Sequence, residues 1–502
     1  MSGAYCFTAG RAIWYRRQCR FAEGRLLRLL AASLVVLTLL GQTPSALPQK
    51  PAPAVTPNSL ARDIFKELVE INTTDSSGST TKAAEAMAAR LRAAGFPAAD
   101  MQVIGPNPRK GNLVLRVRGT GAGRPILLLA HTDVVEARRE DWSMDPFTFI
   151  ERDGFFYGRG TTDMKDMAAA WVANLIRLRR EGVAPGRDLI LALTADEEGG
   201  DSNGVAWLLA NHRHLVDAEY CLTEGGGGEI QQGRYVVYNV GGAEKVYLDF
   251  WLEVKDKGGH SSLPTKHNPI HLLSEGLARL GRHEFPVRLN EVTRGFFERM
   301  SRRETGQLAA DMKAVTATKP GIDAVRRLSQ SPYYNALMRT TCVATRIAGG
   351  HADNALPQVA RALVNCRILP GESPADVKET LARVAGTRIT IRQVGQPEPS
   401  PPSPLKAEVM RALDVTVEAM WPGVPVVPVM TTGASDGRLL RNAGIPTYGL
   451  GLWEDINDIR AHGRDERIGV RQFDEEVEFL YRMIKMLAGS QGTGAPLRLR
   501  EN

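Results

Sequence analysis

The sequence predicts an α/β fold in which an open-sheet domain is interrupted by a smaller ferredoxin-like domain. Three observations carry that reading. Strand-like apolar runs alternate with helix-like runs over residues 112–223 and again over 405–488, the rhythm of an α/β sheet. After Gly242 the order becomes β-α-β-β-α-β, the ferredoxin-like arrangement. The prolines Pro397, Pro399, Pro401, Pro402 and Pro404 then mark the return to the first domain. The composition agrees with this: 502 residues, 43% hydrophobic and 24% charged, are ordinary globular values. At roughly 100–200 residues per domain the length suits two or three domains.

The net charge of +7 is unevenly placed. Residues 1–46 hold six arginines against the single acid Glu23, so only two net charges remain for the rest of the chain. That is too little for a nucleic-acid footprint, which needs a concentrated basic face. The leading segment has basic residues up to Arg28, an apolar run Leu29–Leu40, then small and polar residues to Ala46. This is the order of a secretory signal peptide, and the run is short of the about 20 apolar residues a membrane span takes. Residues 1–46 are therefore expected to be a leader and 47–58, with four prolines, a tether. The expected location is periplasmic or secreted, with an uncleaved anchor as the alternative. Cys221, Cys342 and Cys366 follow the leader in strand-like runs, an odd number that reads as buried apolar residues rather than a disulfide framework.

Within the first domain, Ser59 is positioned to cap a helix with apolar residues Leu60, Ile64, Leu68 and Ile71, and a second helix over 81–94 ends at Gly95. Strands are expected over 112–118, 125–135, 188–195 and 218–223, and helices over 166–181 and 203–215. The run 125–130 is apolar on both faces, as in a central strand covered by helices. The inserted domain should comprise strands at 246–254, 340–347, 360–368 and 387–394 with helices at 269–280 and 374–385. Residues 283–338 interrupt it as a charged, helical insertion. A helix at 405–420, a strand at 425–430, a helix at 436–442, a strand at 446–452 and a helix at 470–488 complete the sheet layer. The domains are thus 59–242, 243–397 and 398–490, followed by a flexible tail over 491–502.

Five candidate groups stand where such a sheet presents side chains, at strand ends. His131 and Asp133 follow the central strand two residues apart, on one face of extended chain. Asp163 closes the loop Gly158-Arg-Gly-Thr-Thr-Asp163 ahead of a helix. Asp196-Glu197-Glu198 ends one strand, Glu224 ends another, and His462 lies in a late polar loop. Two imidazoles and three carboxylates without a thiolate suit zinc, or cobalt and manganese in its place. Two such ions sharing one carboxylate need about five groups, and water between them ionises near neutral pH to a hydroxide nucleophile. Of the adjacent Glu197 and Glu198, which point different ways in extended chain, one can ligate while the other moves the proton.

The residues Leu-Leu-Ala-His131-Thr-Asp133, Tyr157-Gly-Arg-Gly-Thr-Thr-Asp163-Met-Lys and Thr194-Ala-Asp-Glu197-Glu198-Gly-Gly carry a resemblance. Cys221-Leu-Thr-Glu224-Gly, Gly258-Gly-His260-Ser-Ser, Asn354-Ala-Leu-Pro and Ala461-His462-Gly extend it over about residues 59–490. The chain resembles the co-catalytic zinc metallopeptidase and amidohydrolase family of aminoacylase, acetylornithine deacetylase, succinyl-diaminopimelate desuccinylase, carnosinase and the glutamate carboxypeptidases. The resemblance implies a zinc-peptidase-like three-layer catalytic domain and a ferredoxin-like lid that pairs two copies into a homodimer. It implies one metal on His131, Asp163 and Glu224 and a second on Asp163, Glu198 and His462, two zinc ions with cobalt or manganese as substitutes. Glu197 is then the general base, and Asp133 orients His131. His260 reaches into the partner's site to stabilise the oxyanion, while Asn354 and Arg367 hold the carboxylate end of the substrate.

The implied activity is hydrolysis of an amide or peptide bond next to a free carboxylate, in peptides or N-acyl amino acids, because glutamate at position 224 accompanies acylases and carboxypeptidases in relatives. An aminopeptidase or dipeptidase is the alternative within the family, and a catalytically silent binding module the alternative outside it. One departure stands out. Asp166-Met167 follow Asp-Met-Lys where the family commonly has glycine, which adds a negative charge near the expected metals.

Overall fold

A computed structural model describes residues 59–121, 123–431 and 433–489. The expected leader, tether and tail lie outside these residues. Among the described residues no helix is long and apolar enough to cross a membrane.

The catalytic domain is built on a ten-stranded mixed sheet. At its centre Leu189–Thr194, Ile126–His131, Tyr220–Thr223 and Thr447–Gly449 run parallel side by side. Every residue of Ile126–His131 and of Leu189–Thr194 is buried, because helices cover both faces and leave no polar side to alternate with. One face carries the helices Ser59–Glu70, Thr80–Ala93, Lys165–Arg180, Ala407–Met420 and Val470–Leu487. The other packs Gly204–Asn211 and Gly437–Asn442. The first helix buries Ala61, Ile64, Phe65, Leu68 and Val69, the three-and-four spacing that puts one stripe inward. The second begins at an N-cap, with Ser79 Oγ accepting from the Lys82 amide, and Gly95 takes the left-handed φ of 89° just past its end.

The lid is a four-stranded antiparallel sheet in the order Thr341–Gly349, Val359–Ile368, Val246–Lys255, Thr390–Val394. Helices Pro269–Arg282 and Pro374–Ala385 pack on one face, each opened by an N-cap (Asn268, Ser373) with proline in the first turn. Alternation along the first strand is strict: Val246, Leu248, Phe250, Leu252 and Val254 are buried beneath the helices. This is the expected β-α-β-β-α-β order.

Three features differ from expectation or extend it. The segment Gly227–Gln231 pairs with Arg234–Glu244 as a hairpin inside the main sheet, a pair of strands absent from the expected elements. Its turn residues Gln232 and Gly233 both have positive φ, the twist a tight hairpin needs. The insertion forms the helices Glu291–Arg303, Gly306–Val315, Ile322–Leu328 and Pro332–Met338. Val292, Phe297, Met312 and Val315 of this bundle pack on Val237, Val427 and Met430 of the catalytic sheet rather than on the lid sheet. Burying side chains of this kind stabilises by roughly 1.5–3 kcal/mol each. Finally, Cys342 and Cys366, read from the sequence as unpaired apolar residues, form a disulfide. They are directly opposed on neighbouring strands with Cα atoms 4.1 Å apart, a pairing that sequence spacing alone does not reveal. Cys221 is free and buried.

Candidate metal centre

The parallel strands deliver their chemistry at their carboxyl ends. His131 is the last residue of its strand and is buried, Glu224 directly follows Tyr220–Thr223, and Glu198 lies four residues beyond Leu189–Thr194. Glycines make the approach of these strand ends possible. A Cβ on Gly226 would stand 2.2 Å from the Gly449 carbonyl oxygen, so Glu224 can be followed only by chain without side chains there. Asp163 arrives on the loop before Lys165–Arg180. That loop is held by Glu466, buried, which accepts from the amides of Gly160 (3.1 Å) and Thr162 (2.8 Å) and pairs with Arg159 at 2.6 Å. His462 comes from the loop between Trp453–Asp455 and Arg467–Gly469, with φ of 62°.

These side chains meet. His131 Nε2 stands 3.1 Å from Asp163 Oδ1 and 3.7 Å from Glu224 Oε1. His462 Nε2 stands 2.9 Å from Asp163 Oδ2 and 2.7 Å from Glu198 Oε1. Two groups have ligand atoms all within 4.8 Å of one another: His131, Asp163 and Glu198, and His131, Glu197 and Glu224. Glu197 and Glu198 thus both face the cluster, although neighbours in extended chain face apart. Glu197 and Glu198 lie in a bend rather than in extended chain, just after Asp196 with its φ of 55°. The Lys110 ammonium holds the Asp196 carboxylate in place and also pairs with Asp75 at 2.6 Å. Glu197 itself makes no hydrogen bond or ion pair among the described residues.

Asp133 touches the cluster in a way the sequence did not specify. The His131 Nδ1 lies 3.0 Å from the Asp133 backbone oxygen and 3.6 Å from its carboxylate, while Asp133 Oδ2 accepts from the Glu198 amide at 3.0 Å. The residue therefore ties the imidazole to the strand end that carries Glu198. His260 and Asn354 stand elsewhere, on the lid. His260 is exposed, bonded to Ser262 Oγ at 2.8 Å, and its neighbour Ser261 donates to the Asn354 carbonyl at 2.9 Å. Among the described residues neither bonds to the five. Arg367 lies at the base of the lid, its guanidinium 4.7 Å from the Tyr247 ring centroid.

The electrostatics of the donor set fit bound cations. Burial and the charges of Glu224, Asp436 and Glu198 push Glu197 up to about 9, while the His131 imidazolium opposes that rise. Hydrogen bonds to Asp163 and Glu198 raise His462 to about 10, and His131 is raised as well by Glu224, Asp133 and Asp163 against its burial. The bare protein thus gathers protons to balance crowded carboxylates, which is the work two divalent ions would do. The side chains gathered here that offer ligand atoms are His131, Asp163, Glu197, Glu198, Glu224 and His462.

Two further acids, Asp436 and Glu476, escaped the sequence reading. Asp436, buried behind the cluster and pushed up to about 7 by burial, accepts from Asn203 Nδ2 at 2.7 Å. Its signal was present in Gly433-Ala-Ser-Asp436-Gly, between a strand and a helix. Asp166 is buried against Glu476 of the last helix. Desolvation raises both, Glu476 to about 8, where the first turn of the helix after Asp163 faces the last helix.

Comparison with known proteins places these residues in context. The model of peptidase family M20/M25/M40 matches residues 127–486. The human N-fatty-acyl-amino acid synthase/hydrolase PM20D1 is 30% identical over 377 residues, 72% of this chain and 74% of that protein. A Dictyostelium discoideum protein named "Probable carboxypeptidase S-like 2" is 30% identical over 373 residues, 72% of this chain and 71% of its own. Among solved structures, the M20 family metallo-carboxypeptidase Sso-CP2 from Sulfolobus solfataricus superposes with a TM-score of 0.58 at 17% identity, covering 86% of this chain and 99% of its own. Human carnosine dipeptidase 1 does so with a TM-score of 0.55 at 15% identity, over 86% and 100%. These structural likenesses share the two-domain fold.

Proposed function

Because the chain belongs to peptidase family M20/M25/M40, whose members hydrolyse C–N bonds, we propose that it is an exported, dinuclear-metal hydrolase. Its substrates are peptides or N-acyl amino acids cleaved next to a free carboxylate. One observation carries the reading: His131 and His462 contact the two different oxygens of Asp163, the disposition of a carboxylate shared by two ions. Two zinc ions, or cobalt or manganese, held by His131, Asp163, Glu198, Glu224 and His462 would polarise the scissile carbonyl and make water nucleophilic near neutral pH.

The protein's own groups do the rest. Glu198 is engaged by His462, whereas the Glu197 carboxylate has no partner, so Glu197 is the group placed to take a proton from water and return it to the leaving amine. Asp133 fixes the His131 tautomer. His260, exposed on the lid, serves the site of a second copy as an oxyanion donor. The edge strand Thr341–Gly349, with Val343 and Ile347 exposed, supports pairing of two lids. Asn354 and Arg367 hold the carboxylate end of the substrate. Export is supported by the basic-apolar leader and by the Cys342–Cys366 disulfide, a bond that persists in oxidising compartments.

The test is hydrolysis by purified protein, chelated and reloaded with zinc, cobalt or manganese, on N-acyl amino acids, blocked dipeptides and free dipeptides. Metal-dependent release from N-acyl or blocked substrates is expected. Turnover of free dipeptides alone would favour an aminopeptidase or dipeptidase, and metal binding without turnover a silent module.

A further inference from the structure

The catalytic sheet has an unprotected edge. Met101–Ile104 pairs antiparallel with Asn112–Val117 on one side and, among the described residues, with no strand on the other. Sheet edges in folded proteins are usually blunted by charged side chains, proline or a bulge. Met-Gln-Val-Ile carries no charge and no proline, and its register with residues 112–115 is unbroken. Such an edge is a template for one more strand.

A groove of about 500 Å³ runs beside it. Val103 and Ile104 line it from the strand, Thr81 from the helix Thr80–Ala93, and Trp207 and His212 from the helix Gly204–Asn211 and its end. Ile104 and Trp207 pack on the same apolar cluster. Among the described residues the lining includes no Asp, Glu, Lys or Arg, so the groove suits uncharged side chains.

The place where the described chain stops points to an occupant. The Gly186 amide donates to the Ala488 carbonyl at 2.7 Å, and the Thr120 amide donates to the Pro185 carbonyl at 2.9 Å. Arg118 pairs with Asp100 at 3.0 Å, and Asp100 directly precedes the edge strand. Gly489 therefore lies toward the Met101 end of the edge. The residues that follow include Leu497-Arg-Leu-Arg500, which alternates apolar and cationic side chains with a period of two. The stretch from Gly489 to Leu497 reaches roughly 26 Å when extended, against about 13 Å for the length of the edge strand itself.

We propose that residues 497–500 of this same chain dock on the edge as an added strand, parallel to Met101–Ile104, with Leu497 and Leu499 in the groove against Ile104 and Trp207. The period of two puts both leucines on that face and both arginines on the other. Gly105, Asn107, Pro108 and Gly111 also line the groove, and they flank Lys110, the cation that holds Asp196. The segment expected from the sequence to be a free tail thus braces the loop behind the two glutamates.

The test is amide hydrogen exchange of the full chain beside its Leu497→Asp/Leu499→Asp variant. Amides of residues 101–104 should exchange at least about tenfold faster in the variant, while those of Leu189–Thr194 stay as slow as in the parent. A synthetic peptide of residues 493–502, added in excess to the variant, should restore the lost protection, and the same peptide with both leucines replaced by aspartate should not. Equal exchange at residues 101–104 in the two proteins would overturn the proposal. Loss of protection across Leu189–Thr194 would overturn it as well, by making the leucines part of the domain core. So would protection that falls when the parent is diluted, which would assign the edge to a second copy.

Discussion

His131 and His462 reach opposite oxygens of one carboxylate, at 3.1 and 2.9 Å, from chain segments lying on either side of the lid in sequence. Asp163 is therefore the residue on which both halves of the centre depend. Asp163→Asn keeps the side-chain shape but loses a charge shared by two ions. It should lower affinity for at least one of them by about two orders of magnitude or more and remove activity. Elemental analysis after dialysis checks this, and a full complement of two ions would contradict it.

The neighbouring glutamates should separate by readout. Glu197→Gln is expected to lower kcat by about 10²–10⁴-fold while metal content stays near that of the parent. Glu198→Gln should lose metal first. The opposite pattern would exchange the roles of the two residues.

Lys110 holds the carboxylate of Asp196, the residue directly before the two glutamates, and both members of this pair are buried. Lys110→Met leaves the Asp196 carboxylate without its cation. Loss of one partner of a buried pair costs about 3–5 kcal/mol, so a lower melting temperature is expected together with reduced kcat. A variant as stable and as active as the parent would show that Asp196 needs no such clamp.

The lid disulfide closes a sequence separation of 24 residues, for which chain entropy gives about 3 kcal/mol. Cys342→Ala/Cys366→Ala should melt several degrees lower than the parent, and reducing agent should bring the parent to the same value. Equal melting of both proteins would mean that the bond constrains little.

Glu476 supplies a pH dependence. Its folded value of about 8 lies well above the ordinary carboxyl value, because burial and the charge of Glu454 favour the protonated form against the opposing influence of Asp166. The folded state thus binds more protons than the unfolded one between pH 4.5 and 8, and its contribution is fully present below that range and lost as pH climbs through it. Glu476→Gln should flatten the fall in melting temperature toward pH 9, relative to the parent. An unchanged slope would place the proton elsewhere.

The sequence carried the fold where periodicity was strong. The central strand 126–131, the lid alternation from Val246 and the helix Pro374–Ala385 all stand within a few residues of expectation. The five clustered side chains were legible because strand ends of one sheet converge. The first strand of the hairpin, Gly227–Gln231, was not, because a glycine stretch hides a strand that needs close backbone approach; its partner Arg234–Glu244 does carry the strand-like run Tyr235–Val240. Glu466 could not be singled out, since burial and not residue type gives it its role. Glu197 and Glu198 both approach the cluster because they sit in a bend and not in extended chain, a property no alternation rule encodes.

The lid's place in the chain also orders assembly in time. A polypeptide emerging amino end first presents His131, Asp163, Glu198 and Glu224 before any lid residue, and His462 only after the whole lid has followed. Strand Thr447–Gly449 must then slot beside Tyr220–Thr223, already made, with the intervening domain looped out. A nascent or truncated chain ending before this strand lacks His462 and can assemble only the other four of the five clustered side chains, so the final stretch of translation is what completes the centre.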